Sequence, residues 1–445
     1  MHRATLMRTT LLATISVLAA TLPAFAQDLT VKAPPQAAPI AIVNAAIHPV
    51  SREPIDRGWI LFDKGRITSL GTGDAPDLPQ GTQVIDAKGQ RCVYPGLISP
   101  YTQLGLTEIQ AVPQTIDTTE ADRVAPEVVA ATAVNPDSTL IPVTRSNGIL
   151  TAVVFPTGGL VSGQPSVIRL DGWTNTDMTI RRTIGMSLNW PNMRTFTAWW
   201  MNESEEDQQR SIKRDIEAID RVFDTAKAYA AAKDADPSSP TDLRWEAMRP
   251  LFAQGKDQAC LFVRANTVDQ IIAVAAFEKK HSLRITLVGG REAPLCASIV
   301  KEAGMPVILL GTHNLPRRDD EAYDEPFTLP LRLHQAGIPF TISHNDDTAH
   351  ERNLPYHVAM AVAYGLPRDV AIRSITLDAA AIAGVDDEVG SLEPGKAATL
   401  IITNGDPLEV VTKIDAAFID GRRIDLSNKQ TKLAEKYRER YRQPK

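Results

Sequence analysis

Short apolar runs bounded by turn residues appear near both ends of the chain. Four of them lie at 40–44, 59–63, 66–70 and 83–86. Each has the length and the β-branched or aromatic content of a strand. Two more runs follow at 399–403 and 416–424. Because the two sets flank a long central region, we predict one small β-sandwich domain built from both chain ends, residues 27–95 and 385–428.

The central region alternates apolar strands with helical stretches. The predicted strands are 149–155, 259–263, 284–288, 306–310 and 339–342, and the predicted helices are 204–232, 267–280, 291–303, 327–336, 353–364 and 367–383. Such alternation is typical of an α/β fold with a parallel sheet, here a (β/α)8 TIM-like barrel over residues 96–384. Fewer than eight barrel strands stand out, and 108–145 and 157–203 are interpreted as insertions. For residues 429–445 we predict a charged helix that packs against the protein through Leu433 and Tyr437.

The first 26 residues have the pattern of a cleavable export signal. Arg3 and Arg8 precede an apolar run from about Leu11 to Leu22, and small residues follow at Ala24 and Ala26. The alternative is a membrane anchor, but the run is shorter than the ~20 residues that a bilayer span needs. We therefore expect a periplasmic or secreted protein with no membrane span after signal cleavage.

Charge and cysteine content exclude two classes of protein. The net charge of −6 is spread over both signs without a basic run, so nucleic acid is not an expected partner and a small molecule is. Three cysteines, Cys92, Cys260 and Cys296, are too few for a disulfide scaffold in 445 residues. At most one disulfide is expected.

The sequence around residues 95–103 resembles a known motif with its metal-binding residues replaced. Pro95-Gly-Leu-Ile-Ser-Pro-Tyr-Thr-Gln is similar to the Pro-Gly-x-Ile-Asp-x-His-x-His of the first barrel strand in metal-dependent amidohydrolases, and a matching string runs from Arg352 to Leu408. The chain thus resembles the amidohydrolase superfamily, in the branch near imidazolonepropionase and the metal-dependent dipeptidases. Ser99, Tyr101 and Gln103 occupy the aspartate and histidine positions.

The resemblance implies further replacements in the metal site. Its members bind one or two divalent ions through histidines at strand ends, with an aspartate after the last strand as the base. In this chain Asn266 or its neighbours, the glycines after Val288, and Asn345 fall at the later positions. Asp346 reaches the base position only if a bulge shifts the register. We therefore expect a degenerate metal site with no resident metal, the alternative being a single zinc.

A polar cluster remains at the expected barrel mouth. His344, Asp346, Asp347 and His350 lie within seven residues of one another. His344 and Asp346 are candidate catalytic residues, as an acid–base pair or a partial metal site; alternatively, the cluster caps the following helix. His313, Tyr101, Gln103, Asn266 and Asn345 are the candidate binding residues near the lost ligands.

Three functions are compatible with these residues. The first is an exported amidohydrolase-fold protein that is catalytically altered or inactive and binds a small ligand or a partner protein at the barrel mouth. The second is an active hydrolase of non-peptide or dipeptide C–N bonds that uses one metal or none. The third is a structural or interaction subunit that forms a hetero-oligomer with an active homologue. A homo-oligomer is also compatible with the sequence.

Overall fold

The computed structural model describes residue 28 and residues 30–197, 202–344 and 348–443. The chain is a mixed α/β protein, as the alternating pattern predicts. The expected signal, residues 1–26, lies outside the described residues. Within the described part, no helix is long and apolar enough to cross a membrane.

Eighteen strands are formed by the described residues. In chain order they are β1 (Ile40–Ile47), β2 (Ile55–Asp63), β3 (Arg66–Thr72), β4 (Gln83–Asp86), β5 (Cys92–Pro95), β6 (Leu97–Thr102), β7 (Ile149–Val154), β8 (Val161–Gly163), β9 (Ser166–Arg169), β10 (Thr179–Arg181), β11 (Gly185–Asn189), β12 (Cys260–Ala265), β13 (Arg284–Gly289), β14 (Val307–Leu310), β15 (Phe340–Ser343), β16 (Leu400–Thr403), β17 (Ile414–Ile419) and β18 (Arg422–Arg423). The five central strands predicted from the sequence are confirmed to within two residues.

Ten α-helices of six residues or more connect and cover these strands in the described part of the chain. They are Leu140–Arg145, Glu205–Ala235, Leu243–Met248, Val268–His281, Ala297–Glu302, Glu325–Ala336, Leu354–Ala363, Arg368–Ser374, Leu377–Ala383 and Lys429–Arg442.

One eight-stranded sheet contains strands from both chain ends. Its order is β18-β17-β16-β5-β1-β2-β3, with β4 also paired to β1. Strand β16 runs antiparallel to β5, which joins the last part of the chain to the first. Alternate residues such as Ile42, Ile60 and Phe418 are fully buried on one side. The limits 27–95 and 385–428 for a separate domain stay a prediction.

The strands that position the site are parallel. In a six-stranded sheet of order β15-β14-β13-β12-β11-β8, neighbouring strands from β11 to β15 run in the same direction. Strand β6 runs parallel to β7 in a four-stranded sheet. The hydroxyl of Ser343 at the end of β15 donates to the carbonyl oxygen of Tyr101 in β6, at 2.8 Å. The carboxyl ends of these strands therefore lie together.

The helix predicted over 367–383 is two helices, and the prediction of one element is wrong. Arg368–Ser374 ends before Leu377–Ala383 begins. The backbone N–H of Ile98 in β6 donates to the carbonyl of Ile375 at 2.8 Å. A continuous helix would use that carbonyl for its own i+4 bond. Contact with the sheet, which is not visible locally, decides the break.

The tract 157–203 is more than an insertion. It contributes β11, which pairs in register and parallel with β12 from Gly185↔Cys260 onward. The run Gly-Met-Ser-Leu-Asn has low β propensity, because glycine and asparagine are depleted in strands. Its strand conformation is stabilised by pairing with β8 and β12, so the apolar pattern alone did not reveal it.

The C-terminal helix Lys429–Arg442 confirms the helical prediction but not its packing. Leu433 and Tyr437 are 42 and 48% exposed, and no residue of this helix is buried. The three cysteines are all free thiols, with Cys260 and Cys296 buried.

Candidate ligand-binding site at the carboxyl ends of the parallel strands

Strand β6 brings Tyr101 and Gln103 into the protein interior. The ring centroid of Tyr101 lies 4.5 Å from that of Phe155, and its hydroxyl accepts a long hydrogen bond from Nη1 of Arg264 at 3.5 Å. Gln103 is 6% exposed, and its Nε2 has no hydrogen-bond partner among the described residues. A packed phenol and a carboxamide thus stand where the resemblance expects two imidazoles.

Ser99, the third replacement in β6, holds a buried carboxyl group. Its hydroxyl donates to Oε1 of Glu351 at 2.6 Å, and the hydroxyl of Thr102 donates to Oε2 at 2.7 Å. Residues 99 and 102 can both reach Glu351 because the pairing of β6 with β7 is irregular between them. Glu351 is only 2% exposed. Nothing in the sequence around Glu351 indicates a chemical role for it.

Asn266 fills the space between the ends of β12 and β13. Its backbone N–H donates to the side chain of Gln270, which also caps the helix Val268–His281. A Cβ placed on Gly289 would lie 2.3 Å from Oδ1 of Asn266, and Gly289 has φ +100°. The glycine expected at a lost histidine position is therefore required there by both conformation and space.

Three histidine rings cluster beyond β14 and β15. The ring of His357 lies 4.1 Å from that of His313 and 4.7 Å from that of His344, between centroids. Nδ1 of His357 accepts the backbone N–H groups of Thr312 at 3.0 Å and His313 at 3.3 Å. In a neutral imidazole this assigns the proton to Nε2, which is then a donor rather than a metal ligand. Partial burial lowers the pKa of His313.

His357 should make the protein acid-sensitive. Burial, with the neighbouring His344 and His313, lowers the pKa of His357 to about 2. Below pH ~6.5 the unfolded chain binds a proton that the folded one excludes, so stability is present above that pH and is lost as pH falls towards 2. The slope from this group approaches about 1.4 kcal/mol per pH unit.

We expect His357→Asn, which keeps an acceptor for the two N–H groups, to flatten this slope. The measurement is urea unfolding of both proteins at pH 7, 6, 5 and 4. Identical slopes for the two proteins would show that His357 does not control the acid response.

The remaining predicted residues of this region cannot be placed in the site. Asn345 and Asp346 lie outside the described residues, so the roles of His344 and Asp346 as a catalytic pair stay predictions. His350 directly precedes Glu351 in the short helical segment Thr348–Asn353. Within the described ranges, no three His, Cys, Asp or Glu side chains are grouped so as to hold a metal ion.

A cavity opens at the carboxyl ends of β12, β13 and β14. It has a volume of about 190 Å³, and its polar lining consists of Arg264, Asn266, Arg291, Asn314, Arg317 and Glu321. Of the predicted binding residues, Asn266 lines this cavity and Tyr101 contacts Arg264 beside it. His313 and His344 belong to the separate histidine cluster.

Sequence reasoning missed the arginines and Glu351. Arg264 and Arg291 stand inside the two strand-end segments, Val263-Arg-Ala-Asn and Val288-Gly-Gly-Arg, in which the resemblance implies metal-ligand positions. Charged residues directly after buried strands were therefore an available signal. For Glu351 there was none, because a glutamate near a helix start is normally solvated.

Comparisons with known proteins relate this chain to amidohydrolases. Residues 299–424 match the profile of the amidohydrolase family. The amidohydrolase tasK of Hapsidospora irregularis is 21% identical over 396 residues, which are 82% of this chain and 39% of that protein. The imidazolonepropionase of Sphingopyxis alaskensis is 36% identical over 86 residues, 19% of this chain and 21% of that protein.

Solved structures share the fold. An amidohydrolase from Thermotoga maritima has a TM-score of 0.74 at 20% identity, covering 87% of this chain and 99% of that one. Molinate hydrolase has a TM-score of 0.53 at 13% identity, covering 89% and 96%.

These matches show similarity to the amidohydrolase family over residues 299–424, and the solved structures show a shared fold across most of the chain. The chain spans about two fifths of tasK and one fifth of the imidazolonepropionase.

Proposed function

We propose that this amidohydrolase-fold protein binds a small molecule at the carboxyl ends of its parallel strands and has lost hydrolysis by a pair of metal ions. The proposal rests on the residues that stand at the strand ends, which are Tyr101, Asn266 and Gly289. Zinc prefers imidazole, thiolate and carboxylate ligands, whereas these positions offer a phenol, a carboxamide and no side chain. The residues present do not fit a binuclear centre.

The proposal includes the finer architecture. The hydrogen bond between Ser343 in β15 and Tyr101 in β6 supports a closed (β/α)8 barrel, and the sheet shared by both chain ends supports a composite β-sandwich domain. An experimental structure in which β6 and β15 were separated would contradict the closed barrel.

Metal analysis tests the proposal. Protein expressed and purified with zinc in the medium is expected to retain far less than one zinc per chain, because the strand ends lack the ligand set. Inductively coupled plasma mass spectrometry measures this, with His344→Ala as the comparison variant. Retention of about two zinc ions per chain would overturn the proposal.

A second candidate is a hydrolase of C–N bonds that uses one zinc or none. The short distances from His357 to His313 and His344 favour it, since imidazoles supply acid–base groups. About one zinc per chain, lost together with hydrolysis of dipeptides or cyclic amides in His344→Ala, would support this candidate over the first.

Location and assembly complete the proposal. The N-terminal pattern supports export to the periplasm or medium, and intact-mass measurement of the secreted protein should show cleavage after Ala26. A hetero-oligomer with an active homologue is the alternative role, and co-purification at a defined stoichiometry would support it.

A further inference from the structure

Three arginines converge on the cavity at the carboxyl ends of the parallel strands. Arg264 belongs to β12, Arg291 follows β13, and Arg317 follows β14. The guanidinium groups of Arg291 and Arg317 make no hydrogen bond or ion pair with any described residue. Arg291 is partly buried and Arg317 is exposed. Since a charge that is withdrawn from water is normally paired, the lack of a partner for Arg291 beside this cavity requires an explanation.

Glu292 is adjacent in sequence to Arg291 but is engaged elsewhere. Its Oε1 accepts from Nη1 of Arg318 at 3.2 Å, and its Oε2 lies 3.4 Å from Nη2 of Arg194. Oε2 also accepts the N–H of Val268 at the start of a helix, at 2.8 Å. Glu292 is therefore paired with two arginines that lie outside the cavity.

The other nearby carboxylates are engaged as well. Glu321 accepts the backbone N–H of Arg317 at 2.8 Å, and Glu325 forms an ion pair with Arg332 on its own helix. Both act on Arg291 only at longer range. No described carboxylate thus lies within ion-pair distance of Arg291.

Arg291 is also partly withdrawn from water. Burial, and next the positive charge of Arg317, lower the pKa of its guanidinium. Both effects disfavour the charged form, yet arginine stays protonated in proteins. An anion in the cavity would relieve the desolvation and the repulsion together.

We propose that this cavity binds the carboxylate or phosphate group of a small molecule through Arg291 and Arg317. The inference rests on the proposed function, because it names the chemical class of ligand taken at the same site. Guanidinium groups match the planar, bidentate geometry of such oxyanions. Leu309, Leu315 and Leu329 line the same cavity and provide an apolar surface for the rest of the ligand.

Calorimetric titration with three probes tests the inference. Benzoate and inorganic phosphate represent the two oxyanion sources, and benzamide is the uncharged counterpart of benzoate. At constant ionic strength, the full chain is expected to bind at least one of the two anions saturably and benzamide at least tenfold more weakly. The tighter of the two anions identifies the group.

Variants locate the binding. Arg291→Gln and Arg317→Gln should each weaken anion binding at least tenfold, Arg291→Lys should weaken it less than Arg291→Gln, and Arg438→Gln, in the exposed C-terminal helix, should leave it unchanged. In anion-free buffer Arg291→Gln should melt no lower than the parent protein, because it removes an unpaired cation.

Four results would overturn the inference: no saturable binding of either anion, equal binding of benzamide, anion binding unaffected by Arg291→Gln, or a lowered melting temperature of that variant without anion. Binding of benzamide without binding of either anion would contradict the anion site but would remain compatible with the proposed small-molecule function. Retention of two zinc ions per chain would contradict the proposed function itself.

Discussion

Replacing Glu351 by alanine should lower the free energy of unfolding by about 3–5 kcal/mol, because two buried hydroxyl groups then lose their acceptor. Ser99 and Thr102 donate to its two oxygens at 2.6 and 2.7 Å, and neither residue is more than 1% exposed. The substitution also leaves a cavity beneath β6, which adds to the cost. Urea unfolding at pH 7 measures the change.

Two controls separate the hydrogen bonds of Glu351 from its volume. Glu351→Gln keeps the shape and one acceptor oxygen, so its loss should be smaller than that of alanine. Glu435→Ala, in the exposed C-terminal helix, should change stability by less than about 0.5 kcal/mol. If Glu351→Ala were as stable as that control, the hydroxyl–carboxyl network would not support β6.

Gly289→Ala is expected to destabilise the protein by about 2–4 kcal/mol. Its φ of +100° is strained for any other residue, which costs on the order of 1–3 kcal/mol. The new Cβ would also lie 2.3 Å from Oδ1 of Asn266. The same contact opposes a histidine at this position, so a single substitution would not restore a metal ligand here.

The clash and the backbone strain can be measured separately. Gly304→Ala, at φ +61° with open space around the new Cβ, imposes a left-handed backbone without a clash and should cost about 1–2 kcal/mol. Asn266→Ala combined with Gly289→Ala should recover part of the loss, because the clashing carboxamide is gone. Strictly additive losses in that double variant would contradict a direct contact between the two residues.

The sequence pattern predicted some strands and helices correctly and missed others. Strands β12 to β15 were predictable because each is a continuous apolar run bounded by turn residues. Strand β11 was missed, since its Gly, Ser and Asn form a strand only when paired with β12. The helix break before Leu377 was missed because a backbone N–H of β6, remote in sequence, takes the carbonyl of Ile375.

For the candidate site too, the positions of some residues were predictable from the sequence but their surroundings were not. The motif around Pro95 placed Tyr101 and Gln103 at a strand end, and the structure brings both into the interior. Their surroundings were not predictable, because Phe155 and Arg264 reach Tyr101 from other strands. The sequence places Arg291 directly after a strand. Its lack of an ion-pair partner, however, depends on which groups the neighbouring glutamate side chains contact in the folded protein.

By itself the sequence determined the alternation of strands and helices, the resemblance to amidohydrolases, and which residues stand at the strand ends. These features reside in local periodicity and in short motifs, which a chain carries before it folds. Only the tertiary structure decided that Glu351 is buried beneath β6, that Asn266 occupies the space over Gly289, and that three arginines share one cavity. Each of these depends on side chains far apart in sequence meeting in space, where distance, desolvation and the partners already engaged set the interaction energy.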